Sequence, residues 1–205
     1  MYNGTQLWDR LVSLQMERFE FGGRVYDAYA GTPSNLYAAL EKSASIYPDK
    51  IAIVDDDGTK ITYRHFLELT DRFAAYLRTK LSIKKDDHIA LMLYSGGAFC
   101  ISFLAAVKLG AVTLPLPSKF RQGEVLALLE KSDPALIICD EAFAEWMVPL
   151  TDCSCKLVRT GHLAASLEKF RTVESAEIPA VQKIHPLDPA ILMYTSGTTA
   201  LSKGV

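Results

Sequence analysis

Four short, nearly unbroken apolar runs, separated by stretches with helical spacing, constrain this chain more than any other feature. They are His88-Ile89-Ala90-Leu91-Met92-Leu93, Val112-Thr113-Leu114-Pro115-Leu116, Ala135-Leu136-Ile137-Ile138-Cys139 and Ala190-Ile191-Leu192-Met193-Tyr194. Runs that are apolar at consecutive positions suit strands covered on both faces. Phe66, Leu69, Phe73 and Leu77 fall at helical intervals and mark a helix between the early strands. Further helices are expected from about Gly97 to Leu109, from Glu124 to Lys131 and from Ala142 to Trp146, the middle one stopped by Asp133-Pro134. Alternating strands and helices predict an α/β fold, a mostly parallel sheet with helices on both faces.

Upstream of this alternation, Ser34 or Asn35 opens a helix carrying Leu36, Leu40 and Ala44, which ends near Tyr47-Pro48. Ile51 to Val54 and Lys60 to Tyr63 flank Asp55-Asp56-Asp57-Gly58, a hairpin signal. Residues 1–31 read differently. Thr5 caps a short helix with Leu7, Leu11 and Leu14 on one face, and Phe19-Glu20-Phe21-Gly22-Gly23 breaks it. The predicted organisation is an extension over 1–31 that packs on the surface, then one α/β unit over 32–205. A homo-oligomer contact is the alternative role for the extension. Glu174 to Gln182 reads as a surface connection.

Charge excludes some functions. The net charge of −2, with both signs mixed along the chain, leaves neither a nucleic-acid footprint nor a polybasic membrane patch. Met1 to Arg10 lacks the pattern of a signal peptide. Ala98 to Leu116 approaches the length of a membrane span, but Lys108, Gly110, Pro115 and Pro117 divide it into a helix, a glycine stop and a strand. Lys108 itself reads as a helix C-terminal charge beside a glycine cap. Cys100 and Cys139 sit in apolar runs, and Cys153-Ser154-Cys155 has no second pair at zinc spacing. Reduced thiols in a cytoplasmic protein, with no metal site, are expected. His65, His88, His162 and His185 lie in separate segments and are read as structural or exposed.

Only Tyr194 to Val205 is rich enough in chemistry to name a function. Thr195, Ser196, Thr198 and Thr199 bring hydroxyls, Gly197 and Gly204 bring backbone freedom, and Lys203 brings charge. Hydroxyls and glycine-freed N–H groups after a buried strand form a nest for phosphate oxygens, and a lysine adds a point charge. The P-loop pattern G-x-x-x-x-G-K followed by Ser or Thr does not fit. Counted from Gly197, its second glycine is Ser202, and Gly204 replaces the metal-binding hydroxyl.

The loop resembles the signature of the adenylate-forming superfamily, which comprises acyl-CoA synthetases, luciferases and the adenylation domains of peptide synthetases. That pattern runs Tyr or Phe, T-S-G, Ser or Thr, then T-G-x-P-K-G. Tyr194 to Thr199, Lys203 and Gly204 match, while Ala200 and Ser202 depart. A Cβ at Ala200 is unfavourable where φ is positive and hinders close approach to phosphate. Three upstream segments resemble the family in order: Ile61 to Phe66 its L-T-Y-x-E-L, Lys85 to Leu93 its K-G-D-R-V-A-I-x-L strand, and Leu104 to Val112 its L-A-x-x-K-A-G-A-V turn. The likeness covers about Leu36 to Val205.

The resemblance implies the N-terminal subdomain of an enzyme that joins a carboxylic acid to ATP and then to a thiol. The thiol is coenzyme A or a phosphopantetheine arm, and Mg²⁺ accompanies the nucleotide. Thr195, Ser196, Gly197, Thr198, Thr199, Lys203 and Gly204 would hold the ATP phosphates. No catalytic or metal-binding residue is expected among these 205. The family's adenine-binding segment, ribose-binding aspartate and late catalytic lysine fall beyond the loop, so this piece is expected to be inactive and unliganded, with a mobile loop. Ala111 to Leu116 resembles acyl-CoA synthetases more than peptide-synthetase adenylation domains. A non-catalytic nucleotide- or protein-binding module is the alternative from another class.

Overall fold

The computed structural model describes residues 16–21, 23–148, 155–160, 184, 188–195 and 203–204. The chain divides into two units, Met1–Ser34 and Asn35–Val205. In the first, β1 (Met16–Phe21) pairs antiparallel with β2 (Arg24–Tyr29), Phe21 opposite Arg24. Gly23, with φ of +72°, takes a turn conformation that favours glycine. Phe19 to Phe21, the start of the stretch read from sequence as a helix break, thus belongs to a strand of a hairpin. The helix expected at Thr5 to Leu14 lies outside the described residues.

The second unit opens with α1 (Leu36–Ile46), whose N-cap Asn35 accepts a hydrogen bond from the Ala38 N–H at 2.8 Å. The hairpin of β3 (Ile51–Val54) and β4 (Lys60–Thr62) follows, then α2 (Tyr63–Thr79), capped by the Thr62 hydroxyl. Next come β5 (His88–Met92), α3 (Gly97–Leu109), β6 (Val112–Pro115) and α4 (Gln122–Ser132). The chain continues through β7 (Leu136–Asp140), a 3₁₀ turn (Glu141–Phe143), α5 (Ala144–Met147) and β8 (Lys156–Thr160). The near-membrane-length stretch is divided at Gly110, which caps α3 with φ of +71°. Among the described residues no helix is long and apolar enough to cross a membrane.

The central sheet is parallel, in the order β6-β5-β7-β8. Its side chains alternate between two cores. Ile89, Leu91, Leu136 and Ile138 face a cluster with Leu40, Phe66, Phe73, Leu77, Ile101 and Leu109, which come from α1, α2 and α3. Ala90, Met92, Ile137 and Cys139 face a second cluster with Val125, Leu128 and Leu129 of α4 and with Phe143 to Met147. Unbroken apolar runs in sequence therefore become strands with helices on both faces.

The N-terminus of α3 has no side-chain cap from its own N-cap residue. Its N-cap is Gly96, and the Asp55 carboxylate, from the β3–β4 turn, accepts from the Gly97 N–H at 3.1 and 3.2 Å. A carboxylate there also answers the partial positive charge of the helix start. Gly96 is needed for space, because a Cβ built on it falls 2.4 Å from Asp55 Oδ1. Gly96→Ala is expected to displace this cap and cost about 1 kcal/mol. Asp55→Ala should cost a similar amount in urea unfolding, and the double variant little more than either. Fully additive losses would mean that the two residues do not share one role.

Lys108 corrects the sequence reading. It lies in the last turn of α3, and Gly110 is its cap, but its side chain does not reach solvent. It is 3% exposed, and its ammonium donates to Asp71 at 2.8 Å and to the Tyr37 hydroxyl at 3.0 Å. Tyr37 in turn donates to Asp71 at 2.7 Å. One side chain from each of α1, α2 and α3 meets there. Burial, then the Asp71 hydrogen bond, holds the Tyr37 phenol well above its ordinary range, so it stays a donor.

Candidate functional site

The loop identified in sequence is approached along the free side of β6. Thr113 of β6 bridges in parallel to Ile191. The Thr113 amide and hydroxyl both donate to the Ala190 carbonyl at 2.9 Å, and the Leu192 N–H donates to the Thr113 carbonyl at 2.8 Å. The expected strand over Ala190 to Tyr194 is thus a single bridge followed by a separate two-residue strand, β9 (Tyr194–Thr195). Because the segment runs parallel to β6, it leads toward the carboxyl edge of the sheet. Ligands bind at that edge in open α/β sheets.

β9 pairs antiparallel with β10 (Lys203–Gly204), Thr195 opposite Lys203 and Tyr194 opposite Gly204. The pairing closes the neck of the loop. Of the predicted phosphate-binding residues, Thr195, Lys203 and Gly204 are brought together there. Ser196, Gly197, Thr198 and Thr199 lie outside the described residues. The expectation of a mobile loop covers Thr195 to Gly204; of these, Thr195, Lys203 and Gly204 lie in β9 and β10, and 196–202 lie outside the described residues. Gly204 has a packing reason to be glycine. A Cβ on it would sit 3.1 Å from Leu192 Cδ1 and 3.4 Å from the Tyr194 ring.

Several contacts hold the base of this arm. Leu192 and Tyr194 pack on the second core cluster. The Lys131 ammonium lies 5.3 Å from the centre of the Tyr194 ring, within cation–π range. Lys85 pairs with Asp188 at 2.6 Å, and that hydrogen bond holds the Lys85 ammonium above its ordinary range. Sequence reasoning missed Lys85, Thr113 and Asp188. The partners stand 103 and 77 residues apart, so no local spacing could reveal them.

The remaining chemistry-bearing groups do not compete for the site. His88 Nδ1 sits 2.8 Å from the Ser132 carbonyl, and His65 lies 3.6 Å from Glu68 on an exposed stretch of α2. His162 and His185 lie outside the described residues. Burial pushes the Cys139 thiol up to about 11, too high for a nucleophile at neutral pH. Cys100 is shifted the same way, chiefly by burial. Neither is in a disulfide, nor is Cys155. Cys153 lies outside the described residues. No group of three His, Cys, Asp or Glu among the described residues is placed to hold a metal ion. A cleft of about 270 Å³ lined by Asp87, Asp133 and Lys156 lies at the opposite, amino edge of the sheet, where the Lys156 ammonium donates to the Leu81 carbonyl.

A parallel sheet with helices on both faces, and an arm running along β6 toward its carboxyl edge, defines an open α/β class of protein. The chain belongs to the AMP-binding enzyme family, which matches residues 40–205. It is 30% identical over 197 residues to a 4-coumarate–CoA ligase of Humulus lupulus, covering 92% of this chain and 36% of that protein. It is 28% identical over 170 residues to the N-(5-amino-5-carboxypentanoyl)-L-cysteinyl-D-valine synthase of Amycolatopsis lactamdurans, covering 83% of this chain and 4% of the synthase. A Mycobacterium tuberculosis fatty acyl CoA synthetase superposes with a TM-score of 0.71 at 27% identity, over 84% of this chain and 34% of that one. The chain therefore spans at most about a third of the length of these relatives.

Proposed function

We propose that this chain is the N-terminal, phosphate-gripping part of a cytoplasmic AMP-forming ligase that activates a fatty or other organic acid for transfer to coenzyme A. The observation that supports it most is the neck of the loop, where Thr195 and Lys203 stand opposite each other on an arm bonded to β6. In this reading a carboxylate oxygen of the acid attacks the α-phosphorus of ATP, and the bond to the departing pyrophosphate breaks. Thr195, Ser196, Thr198 and Thr199 donate hydrogen bonds to the β- and γ-phosphates, and Lys203 supplies charge as negative charge develops on the leaving group. Gly197 and Gly204 let the backbone come close. Mg²⁺ bound to the triphosphate would help neutralise its charge. Residues 1–31 form an extension outside this unit.

The test is ATP–pyrophosphate exchange with a panel of carboxylates, on a protein carrying this sequence and the remainder of an AMP-binding domain. Acid-dependent exchange is expected, and none from the 205 residues alone. Ala200→Gly is expected to tighten ATP binding several-fold, since it removes a Cβ where the family pattern has none. Exchange dependent on an amino acid, with transfer to a carrier-protein thiol, would move the reading to an adenylation domain of a peptide or polyketide synthetase. No exchange with any acid would leave the non-catalytic module.

A further inference from the structure

The segment that carries the loop has little in its own composition to decide its register. Ile191-Leu192-Met193-Tyr194 is apolar at every position. Leu192 and Tyr194 pack inward, while Ile191 and Met193 are 40% and 56% exposed. A slip of one residue against β6 would exchange these pairs, burying Ile191 and Met193 in place of Leu192 and Tyr194. Both pairs are large and apolar, so burial discriminates weakly between the two registers. The Thr113 bonds do not discriminate either. After a slip they would re-form one residue earlier, with the Pro189 carbonyl in the place of Ala190 and the Ile191 N–H in the place of Leu192.

Asp188 does discriminate. It precedes the bridge at Ile191 by three residues and holds the Lys85 ammonium at 2.6 Å. A one-residue slip moves its carboxylate about 3.3 Å along the strand and turns it to the opposite face. Lys85 has limited freedom to follow, because its stem packs where a Cβ on Gly110 would sit, with Lys85 Cγ 3.1 Å from that point. The Asp86 N–H also donates to the Gly110 carbonyl at 2.9 Å, which ties the Lys85 backbone to the end of α3. The cation is thus anchored to the body of the domain, and the anion belongs to the arm.

We propose that the Lys85–Asp188 ion pair, with the Thr113 bonds as its latch, sets the register of the arm that delivers the phosphate loop. Lys85 and Asp188 are then positioning residues for that loop. Thr113, with no exposed surface in an otherwise apolar β6, locks whichever register the ion pair selects. The consequence for nucleotide binding rests on the function proposed above. The register itself does not.

Hydrogen exchange on the 205-residue chain tests the register without any ligand. Asp188→Ala is expected to speed exchange of the Leu192 amide about tenfold and to leave the Ile89 and Ile137 amides unchanged. The charge swap Lys85→Asp with Asp188→Lys is expected to restore protection. Both side chains are partly exposed, so these variants spare the core. Slower peroxide oxidation of Met193 in Asp188→Ala would identify a true slip, because simple detachment would speed it. Unchanged Leu192 exchange, failure of the swap to rescue, or faster Met193 oxidation would overturn the proposal. In the longer enzyme, Asp188→Ala should raise KM for ATP more than it lowers kcat, with rescue by the swap. Should the arm respond while the longer protein shows no exchange with any acid, the register inference stands and the ligase reading falls. Exchange with a Leu192 amide that ignores both variants gives the reverse.

Discussion

Asp71→Ala is expected to cost this domain about 3 kcal/mol, measured as a lowered urea midpoint at unchanged slope. The substitution leaves the Lys108 ammonium 3% exposed, with a phenol hydroxyl as its remaining close partner. Breaking one side of a buried pair costs about 3–5 kcal/mol, because the other charge is stranded. The lower figure applies because Asp71 keeps 20% of its side-chain surface, which admits some solvent. Tyr37 softens the loss only in part. Its ring faces the ammonium at 4.7 Å, but its hydroxyl loses the carboxylate it donates to. Replacing both charges, as in Asp71→Leu with Lys108→Met, is expected to come back close to wild type, since isosteric apolar pairs often match a buried ion pair. The pattern of one severe single variant and one mild double variant separates a stranded charge from lost packing. If Asp71→Ala unfolds within 1 kcal/mol of wild type, the three helices do not depend on this junction.

What the sequence made legible follows the range over which each signal acts. Apolar runs and helical spacing are local, and they located β5, α3, β6, α4 and β7 within a few residues. Gly110 beyond Lys108 marked the end of α3 for the same reason. The role of Lys108 was hidden, because Asp71 and Tyr37 lie 37 and 71 residues away and a lysine in a last helical turn is usually a surface charge. The β1–β2 hairpin did leave a local signal. Gly-Gly at 22–23 is a turn signal in the sequence, but the charges in Met16 to Phe21 hid any strand pattern. At the candidate site the pattern of hydroxyls, glycines and lysine, with three upstream segments in family order, pointed to Tyr194 to Val205. What aims the loop, from Lys85, Thr113 and Asp188, is tertiary and was invisible in one dimension.

Lys203→Ala, made in the longer ligase proposed above, is expected to lower kcat/KM for ATP in pyrophosphate exchange by about 10²-fold. Pyrophosphate leaves carrying charge that the ground-state triphosphate spreads over more atoms, so a cation fixed near it acts most strongly at the transition state. Lys203 is fixed by its register opposite Thr195, at the neck of the loop rather than at its tip. An ammonium on a flexible stem could find phosphate from many places, but a paired backbone spares part of that ordering cost. kcat should therefore fall at least as much as KM rises. Lys203→Arg keeps the charge but changes its shape, and it is expected to recover part of the loss. Stability should not follow activity. Lys203 ends a two-residue strand, so the urea midpoint of the 205-residue chain should stay within about 0.5 kcal/mol of wild type. If the exchange rate of Lys203→Ala stays within twofold of wild type, the loop does not grip phosphate through this residue. If activity and stability fall together, β9 and β10 support the fold instead of the chemistry.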